Sequence, residues 1–540
     1  MLTADAVINF KGGATLSGQC WDGPVSSVAF DETGIRSSLL NLADPVYVVR
    51  AGGRVGLSNS GKPTSHPTQV ELLGQLPPLP PENLGNPAFK DFFSLKYAYA
   101  AGAMAQGIAS EQMVISLGKA GMLGSFGAAG LGPARLEAAI QAIQQALPEG
   151  PYAFNLIHSP SEEKLEQTAV NLYLKHGVHT VEASAFMDLT PAIVQYRAAG
   201  LSVDHLGQVE IKNKVVAKLS RREVAAKFMQ PAPEKLLRPL VEAGLITGQQ
   251  ATLAGQVPMA DSITVEADSG GHTDNRPLVC LLPSILELRD EIQARQGYHR
   301  EIMVGAGGGI GTPAAALAAF TLGADYVVTG SVNSSCIEAG NSAHTRQLLA
   351  QAEMADVIMA PSADMFELGV KVQLLKRGTF FPMRSQKLYD LYKKYDSLEE
   401  IPAAELTMLE KQFFKKSVAE IWQETEKFFS ERDPEQITKA NASPKRKMAL
   451  IFRWYLGLSS RWSNSGEKGR EMDYQIWCGP AMGAFNDWVR GSYLQDPANR
   501  QVVEVAHQLL QGAAYLYRVQ SLRIQGVYLP AHLCAYRLAR

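Results

Sequence analysis

Between residues 97 and 329, short runs of apolar and β-branched residues recur. Each ends in Gly, Asn, Ser or a charged residue and leads into an Ala-rich stretch with helical spacing. The runs cover 97–104, 121–126, 152–157, 179–186, 215–219, 262–267, 302–306 and 325–329. Eight strand-then-helix units in about 235 residues predict an α/β fold of the (β/α)8 TIM-barrel type, since a doubly wound sheet more often stops at about five or six strands. Chemistry in such a barrel belongs at the C-terminal ends of the strands.

Residues 1–90 read as a separate N-terminal cap. Pro45–Arg50 and Arg54–Ser58 form a hairpin about a glycine turn, and the proline-rich stretch Leu76–Pro81 makes a stiff connector. Residues 91–338 are the barrel. Its fifth unit carries an insertion, 221–261, that reads as short helices broken by Pro231 and Pro233, and an insertion at that face is expected as a lid or wall for substrate. Residues 339–540 are expected to be a helical C-terminal region with charged amphipathic stretches such as 404–430 and an aromatic tail.

Composition narrows the class. A 46% hydrophobic content supplies a large core, and 51 Lys plus Arg against 53 Asp plus Glu leave a net charge of -2, so the chain as a whole has no attraction for nucleic acid or an acidic membrane. Five scattered cysteines without a C-x-x-C spacing indicate a reduced compartment, and the start MLTADAVINFKGG lacks the pattern of a signal peptide, so the expectation is cytoplasmic. The uncharged stretch Ile302–Ala324 carries five glycines and Pro313 in its first half and reads as strand, loop and helix.

Two glycine turns fall at the ends of the seventh and eighth runs, Gly307-Gly-Gly-Ile310 and Thr329-Gly-Ser331, where barrels commonly hold a phosphate. The spacing is not the G-x-G-x-x-G of a dinucleotide site, because Ile310 and Thr312 stand where the last glycine belongs. At the end of the sixth run, His272 follows Gly270 and Gly271, which exposes an imidazole able to donate to an oxyanion or shuttle a proton. Asn155, Glu182 and Lys218 end the third, fourth and fifth runs, where a structural hydrogen bond and ligand contact are equally good readings. The carboxylates Glu182, Glu266 and Asp268 leave a metal-dependent barrel of the enolase type as a rival, without any spacing specific to metal.

Gly-Ala-Met-Ala at 102–105, Gly-Met-Leu-Gly at 121–124, Phe154-Asn155, Ser-Gly-Gly-His at 269–272 and the two glycine turns come in an order that resembles the FMN barrels similar to nitronate monooxygenase and the flavin-type enoyl-acyl-carrier-protein reductase. The cap, the insertion, Phe380-Phe-Pro-Met-Arg384 and Trp477-Cys-Gly-Pro480 extend the resemblance to the whole chain, which looks like the trans-acting enoyl reductase subunit of bacterial polyunsaturated fatty acid synthases, the PfaD type.

The resemblance implies FMN lying on Ala103 and Met104, with Asn155, Glu182, Lys218 and Gly271 around it. It also implies the phosphate on Gly308, Gly309, Gly330 and Ser331, and His272 beside the reacting centre as the catalytic residue. Glu182 departs from the simpler reductases, which are uncharged at that strand end, and the insertion is absent from them. NADPH or NADH is implied as co-substrate, 2-enoyl thioesters on acyl carrier protein domains as substrate, and a homodimer is possible. Arg221, Arg222, Lys227, Lys376, Arg377, Arg384 and Lys387 are the basic residues expected to meet an acidic carrier. A nitronate monooxygenase-type oxidase and a non-catalytic scaffold subunit are the alternatives.

Overall fold

In the computed structural model, which describes residues 7–10, 20–158 and 163–539, all eight runs form strands of one closed parallel barrel. They are β1 (Tyr99–Ala101), β2 (Leu123–Phe126), β3 (Ala153–Ile157), β4 (Thr180–Ser184), β5 (Lys214–Leu219), β6 (Ser262–Glu266), β7 (Met303–Gly307) and β8 (Val327–Thr329), and β8 pairs with β1 to close the ring. Most of the N-terminal stretch read for a signal peptide lies outside the described residues. No described helix is long and apolar enough to cross a membrane.

The barrel is plugged at its N-terminal end and open at the other. The helix Pro87–Phe93, started by the Asn86 side chain on the Ala88 amide, puts Phe89 and Phe93 against Ala100, Leu123, Ala153, Val216, Met303 and Val328. Phe89 stacks on Tyr326 at 3.9 Å, and full burial of such a ring contributes about 2–3 kcal/mol. With that end filled by aromatic rings, only the C-terminal mouth is left for a ligand.

The N-terminal hairpin forms as expected, Val46–Ala51 against Arg54–Ser58, with Gly52 and Gly53 at φ 56° and 75° in the turn. It belongs to a five-stranded sheet that is not a free-standing cap. Val46, Val48, Leu73 and Leu76 share a core with Tyr515, Val519 and Leu522 of the long helix Val502–Ile524. That helix also runs along the barrel helix Pro313–Thr321, and its buried Arg518 donates to the carbonyls of Asn41, Leu42 and Asp44. The C-terminal helix therefore ties the N-terminal sheet to the barrel.

Two expectations are corrected. The insertion does form helices, Arg222–Phe228, Glu234–Glu242 and Gly248–Ala254, but they pack on the outer helices Pro191–Ala199 and Leu278–Gln296, and none of its residues lines the mouth. The amphipathic pattern at 221–261 is satisfied by the barrel's outer wall. A buried ion pair, Arg197 to Asp261 at 2.7 Å with Arg197 also donating to Pro258 O, fastens the insertion's end there. Second, the C-terminal region is not wholly helical. Val357–Pro361 and Lys371–Leu375 form a hairpin, and its second strand pairs antiparallel with Gly271–His272.

Candidate active site

The mouth holds a cavity of about 400 Å³ whose floor is the strand ends and whose roof is the C-terminal region, through Ser362, Asp364, Ser460, Gln475 and Trp477. The first run is cut short to make it. After Ala101 the chain leaves the sheet, Gly102 N donates to Thr329 O at 3.0 Å, and both oxygens of Glu182 accept from Ala103 N at 3.2 Å. Ser334 Oγ meets Met104 Sδ at 2.8 Å, so the 102–105 segment is fixed at the cavity edge.

Glu182 is 6% exposed and lies beneath the cavity floor rather than on it, which corrects its expected place among the lining groups. Burial raises its carboxyl above the usual carboxylate range, and Lys218 together with the Ala103 amide only partly opposes that. Lys218 Nζ sits 3.2 Å from Glu266 and 3.8 Å from Glu182. Burial disfavours its ammonium, but the two carboxylates more than restore it, so it stays charged. The two carboxylates of the metal-barrel rival are thus paired with an ammonium. Asn155 uses its amide N–H groups on Glu182 O and Ser184 Oγ, at 3.1 and 2.8 Å, leaving its carbonyl as the acceptor for a ligand.

The two glycine turns fit an anion. Gly308 holds φ 86°, and a Cβ there would meet the Ala267 backbone at 2.6 Å. Gly309, at φ 75°, and Gly330 have open space where a side chain would project. Among the described residues the amides of Gly309, Gly330 and Ser331 donate to no backbone carbonyl. Unpaired backbone N–H groups beside the start of the Pro313–Thr321 helix form an anion cradle.

His272 closes the other side. Gly270 is pressed on the Cys478 backbone, at 2.9 Å from where a Cβ would sit, and Gly479 faces Gly270 N at 2.7 Å in the same way, so the Ser-Gly-Gly-His and Trp-Cys-Gly-Pro motifs need glycine because their backbones touch. His272 Nε2 lies 3.1 Å from Asp364 Oδ2, off hydrogen-bond alignment. Burial alone would lower the imidazolium pKa, and Asp364 by contact and charge reverses this to a net rise.

Ala103, Met104, Asn155, Lys218, Gly271, His272, Gly308, Gly309, Gly330 and Ser331 thus line one cavity. Sequence reading missed Asp364 and the left-handed Gln106 and Ala185, at φ 59° and 60°, which also line it. Most of the basic residues expected to meet a carrier also pair within the fold. Arg221 pairs with Asp274, Lys227 with Asp188, Arg377 with Asp356, Arg384 with Asp473 and Lys387 with Glu405.

Residues 86–379 match the family model for nitronate monooxygenase, more than half of the chain, and residues 21–78 match the N-terminal domain of the PfaD component of fatty acid synthase. The chain belongs to the nitronate monooxygenase family, in its PfaD branch. A third match, at 395–474, is to the inserted helical domain of [acyl-carrier-protein] S-malonyltransferase. A polyunsaturated fatty acid synthase component of Thraustochytrium sp. is 48% identical over 93% of the chain and 34% of the relative. Polyketide biosynthesis protein PksE of Bacillus subtilis is 46% identical over 84% of the chain and 58% of the relative, so the chain spans only part of either. The enoyl reductase domain of MlnA from the macrolactin biosynthesis cluster of Bacillus amyloliquefaciens superposes with a TM-score of 0.78, at 38% identity over 82% of the chain and all of that domain.

Proposed function

We propose that the chain is a flavin-dependent enoyl reductase that saturates 2-enoyl thioesters carried on acyl carrier protein in polyunsaturated fatty acid or polyketide synthesis. The observation that carries this reading is the single cavity uniting an anion cradle, a charged Lys218 and a partnered His272. The family and the cradle favour FMN, with its phosphate on Gly308, Gly309, Gly330 and Ser331 and its ring system against Ala103 and Met104. When bound, the flavin carries a hydride from NADPH or NADH to the β-carbon of the enoyl thioester. The chain's own part is to hold the thioester at the mouth, stabilise the negative charge that develops on its oxygen, and supply a proton to the α-carbon from His272. The balance is one enoyl thioester, one reduced nicotinamide and one proton consumed, with one saturated thioester and one oxidised nicotinamide formed.

The deciding experiment is the visible spectrum of purified protein before and after anaerobic NADPH, followed by a crotonyl thioester. Bleaching by NADPH and recolouring by the thioester are expected. A flavin recoloured only by oxygen, with turnover of a nitronate and no need of nicotinamide, would point to the oxidase. Colourless protein unable to take up FMN would point to a scaffold.

The same cavity runs out between the helices Pro133–Ala146 and Glu163–His176, where Leu131, Leu136, Ile157, Leu165, Ala169 and Leu172 line it. Polar groups on this arm are already engaged. Thr168 donates back to Lys164 O at 2.7 Å, and Glu166 is held by His158 and Thr190. An arm of this kind takes the hydrocarbon chain of the acyl group. Ala169→Trp is expected to leave crotonyl thioester reduction near wild type and to lower kcat/KM for an octenoyl thioester by about 200-fold, the worth of four methylenes at ~0.8 kcal/mol each. Equal effects on both substrates would place the chain elsewhere.

A further inference from the structure

We propose that Asp364, carried by the hairpin Val357–Leu375 outside the barrel, is the positioning residue that keeps His272 oriented and protonated as the proton donor of the site. The inference rests on the reading that an enoyl thioester is reduced here.

The geometry fixes His272 twice over. Its backbone is built into the hairpin, with Gly271 paired to Gln373 and His272 to Val372. Gln373 Nε2 then donates to Asp268 Oδ1 and Ser269 O at 2.7 and 2.8 Å, and Asn275 Nδ2 donates to Asp268 Oδ1 and Gln373 Oε1, so the loop on either side of the histidine is bolted to the same strand. Asp364, in the connection of that hairpin, brings its carboxylate against the ring. Nε2 is buried, 3.1 Å from Oδ2 of Asp364, and the ring as a whole lines the cavity, so on this proposal Nδ1 is the nitrogen that serves the substrate. A carboxylate against one nitrogen of an imidazole fixes which face the other presents and stabilises the charged ring, the role carboxylates take in acid–base pairs generally.

Three charged groups face the ring: Asp364 from the hairpin, Glu266 from β6 and Lys218 from β5. Glu266 favours the imidazolium and Lys218 opposes it, and these two are themselves paired at 3.2 Å, which leaves Asp364 as the group that outweighs the burial. In the reductive step the Nδ1–H bond breaks as a C–H bond forms at the α-carbon. The electron pair comes from the enolate left by hydride addition, and the neutral imidazole regains its proton from water.

Imidazole NMR titration of the purified holoenzyme, with the His272 signal assigned by its loss in His272→Gln, reads the pair directly. In the wild-type protein His272 should titrate above the usual histidine value. In Asp364→Asn it should titrate lower than in the wild-type protein, because the main opposition to burial is then gone. The alkaline limb of kcat/KM for a crotonyl thioester should move to lower pH in the same variant, with kcat at pH 8 down roughly 10- to 100-fold and partly restored in Asp364→Glu. A wild-type His272 that titrates at or below the usual value overturns the proposal without any variant. An unmoved limb in both Asp364→Asn and Asp364→Ser overturns it as well. If the holoenzyme fails to reduce any enoyl thioester, the proposed function falls while the titration still tells whether Asp364 holds the ring charged.

Discussion

Replacing His272 with Ala should slow enoyl thioester reduction by about 100- to 10,000-fold, the usual contribution of a positioned general acid, while nicotinamide-driven flavin reduction falls by less than about tenfold. The split follows from where the proton is needed. Hydride delivery to a flavin places no carbanion beside the histidine, whereas hydride delivery to the enoyl β-carbon leaves an enolate that must be protonated. The pH dependence has a definite sign. His272 has its pKa raised by Asp364, so its acid form persists above the ordinary histidine value and is lost as pH rises through the raised one. Asp364 has its pKa lowered by the same contact, burial notwithstanding, so its carboxylate persists to a pH below the ordinary range. Enoyl reduction should therefore show a plateau between these two limits. Stopped-flow measurement of the two half-reactions separates the effects, and undiminished enoyl turnover in a variant that retains FMN would remove His272 from the chemistry.

The barrel was legible because each strand run is local and ends in residues that leave a sheet readily. Gly102, Ser184, Lys218 and Gly307 all fall at or beside strand ends, and the helices that follow start at caps such as Thr190 and Thr312. His272 was legible for a related reason, since two glycines before it mark backbone in close quarters. What escaped was long-range. Asp364 is one acid in Pro361-Ser-Ala-Asp-Met-Phe, without periodicity or motif, and it matters only because the hairpin around it pairs with a two-residue strand about a hundred positions earlier. The insertion's hydrophobic pattern showed that it has a buried face but not against what, and both the mouth and the outer wall would have satisfied it. The pairing of the basic residues read as a docking surface was hidden for the same reason. Arg384 and Asp473 lie far apart in the sequence, so a count of cations could not reveal that most of them are neutralised within the fold.

Lys218→Met keeps the bulk of the side chain and removes its charge, leaving Glu182 and Glu266 facing each other without the ammonium between them. Breaking a largely buried ion cluster from one side costs about 3 kcal/mol, which for a chain of 540 residues is a fall in Tm of roughly 2–4 °C at pH 8. Acid should shrink that loss. Glu182 already has a raised carboxyl pKa in the folded protein. A group of that kind is neutral in both states below its unfolded value and destabilises the fold progressively as pH rises toward the folded one. Without Lys218 the folded value climbs further, so the deficit should be smallest at about pH 5, and Lys218→Met with Glu182→Gln should recover more than half of it at pH 8. Scanning calorimetry of the protein stripped of cofactor makes the comparison, and a deficit that is the same at both pH values and untouched by the second substitution would refute the cluster's role. Because Glu182 holds the Ala103 amide through both oxygens, the segment 102–105 depends on the same charge balance. Loss of Lys218 should therefore loosen the floor of the cavity before it unfolds the barrel.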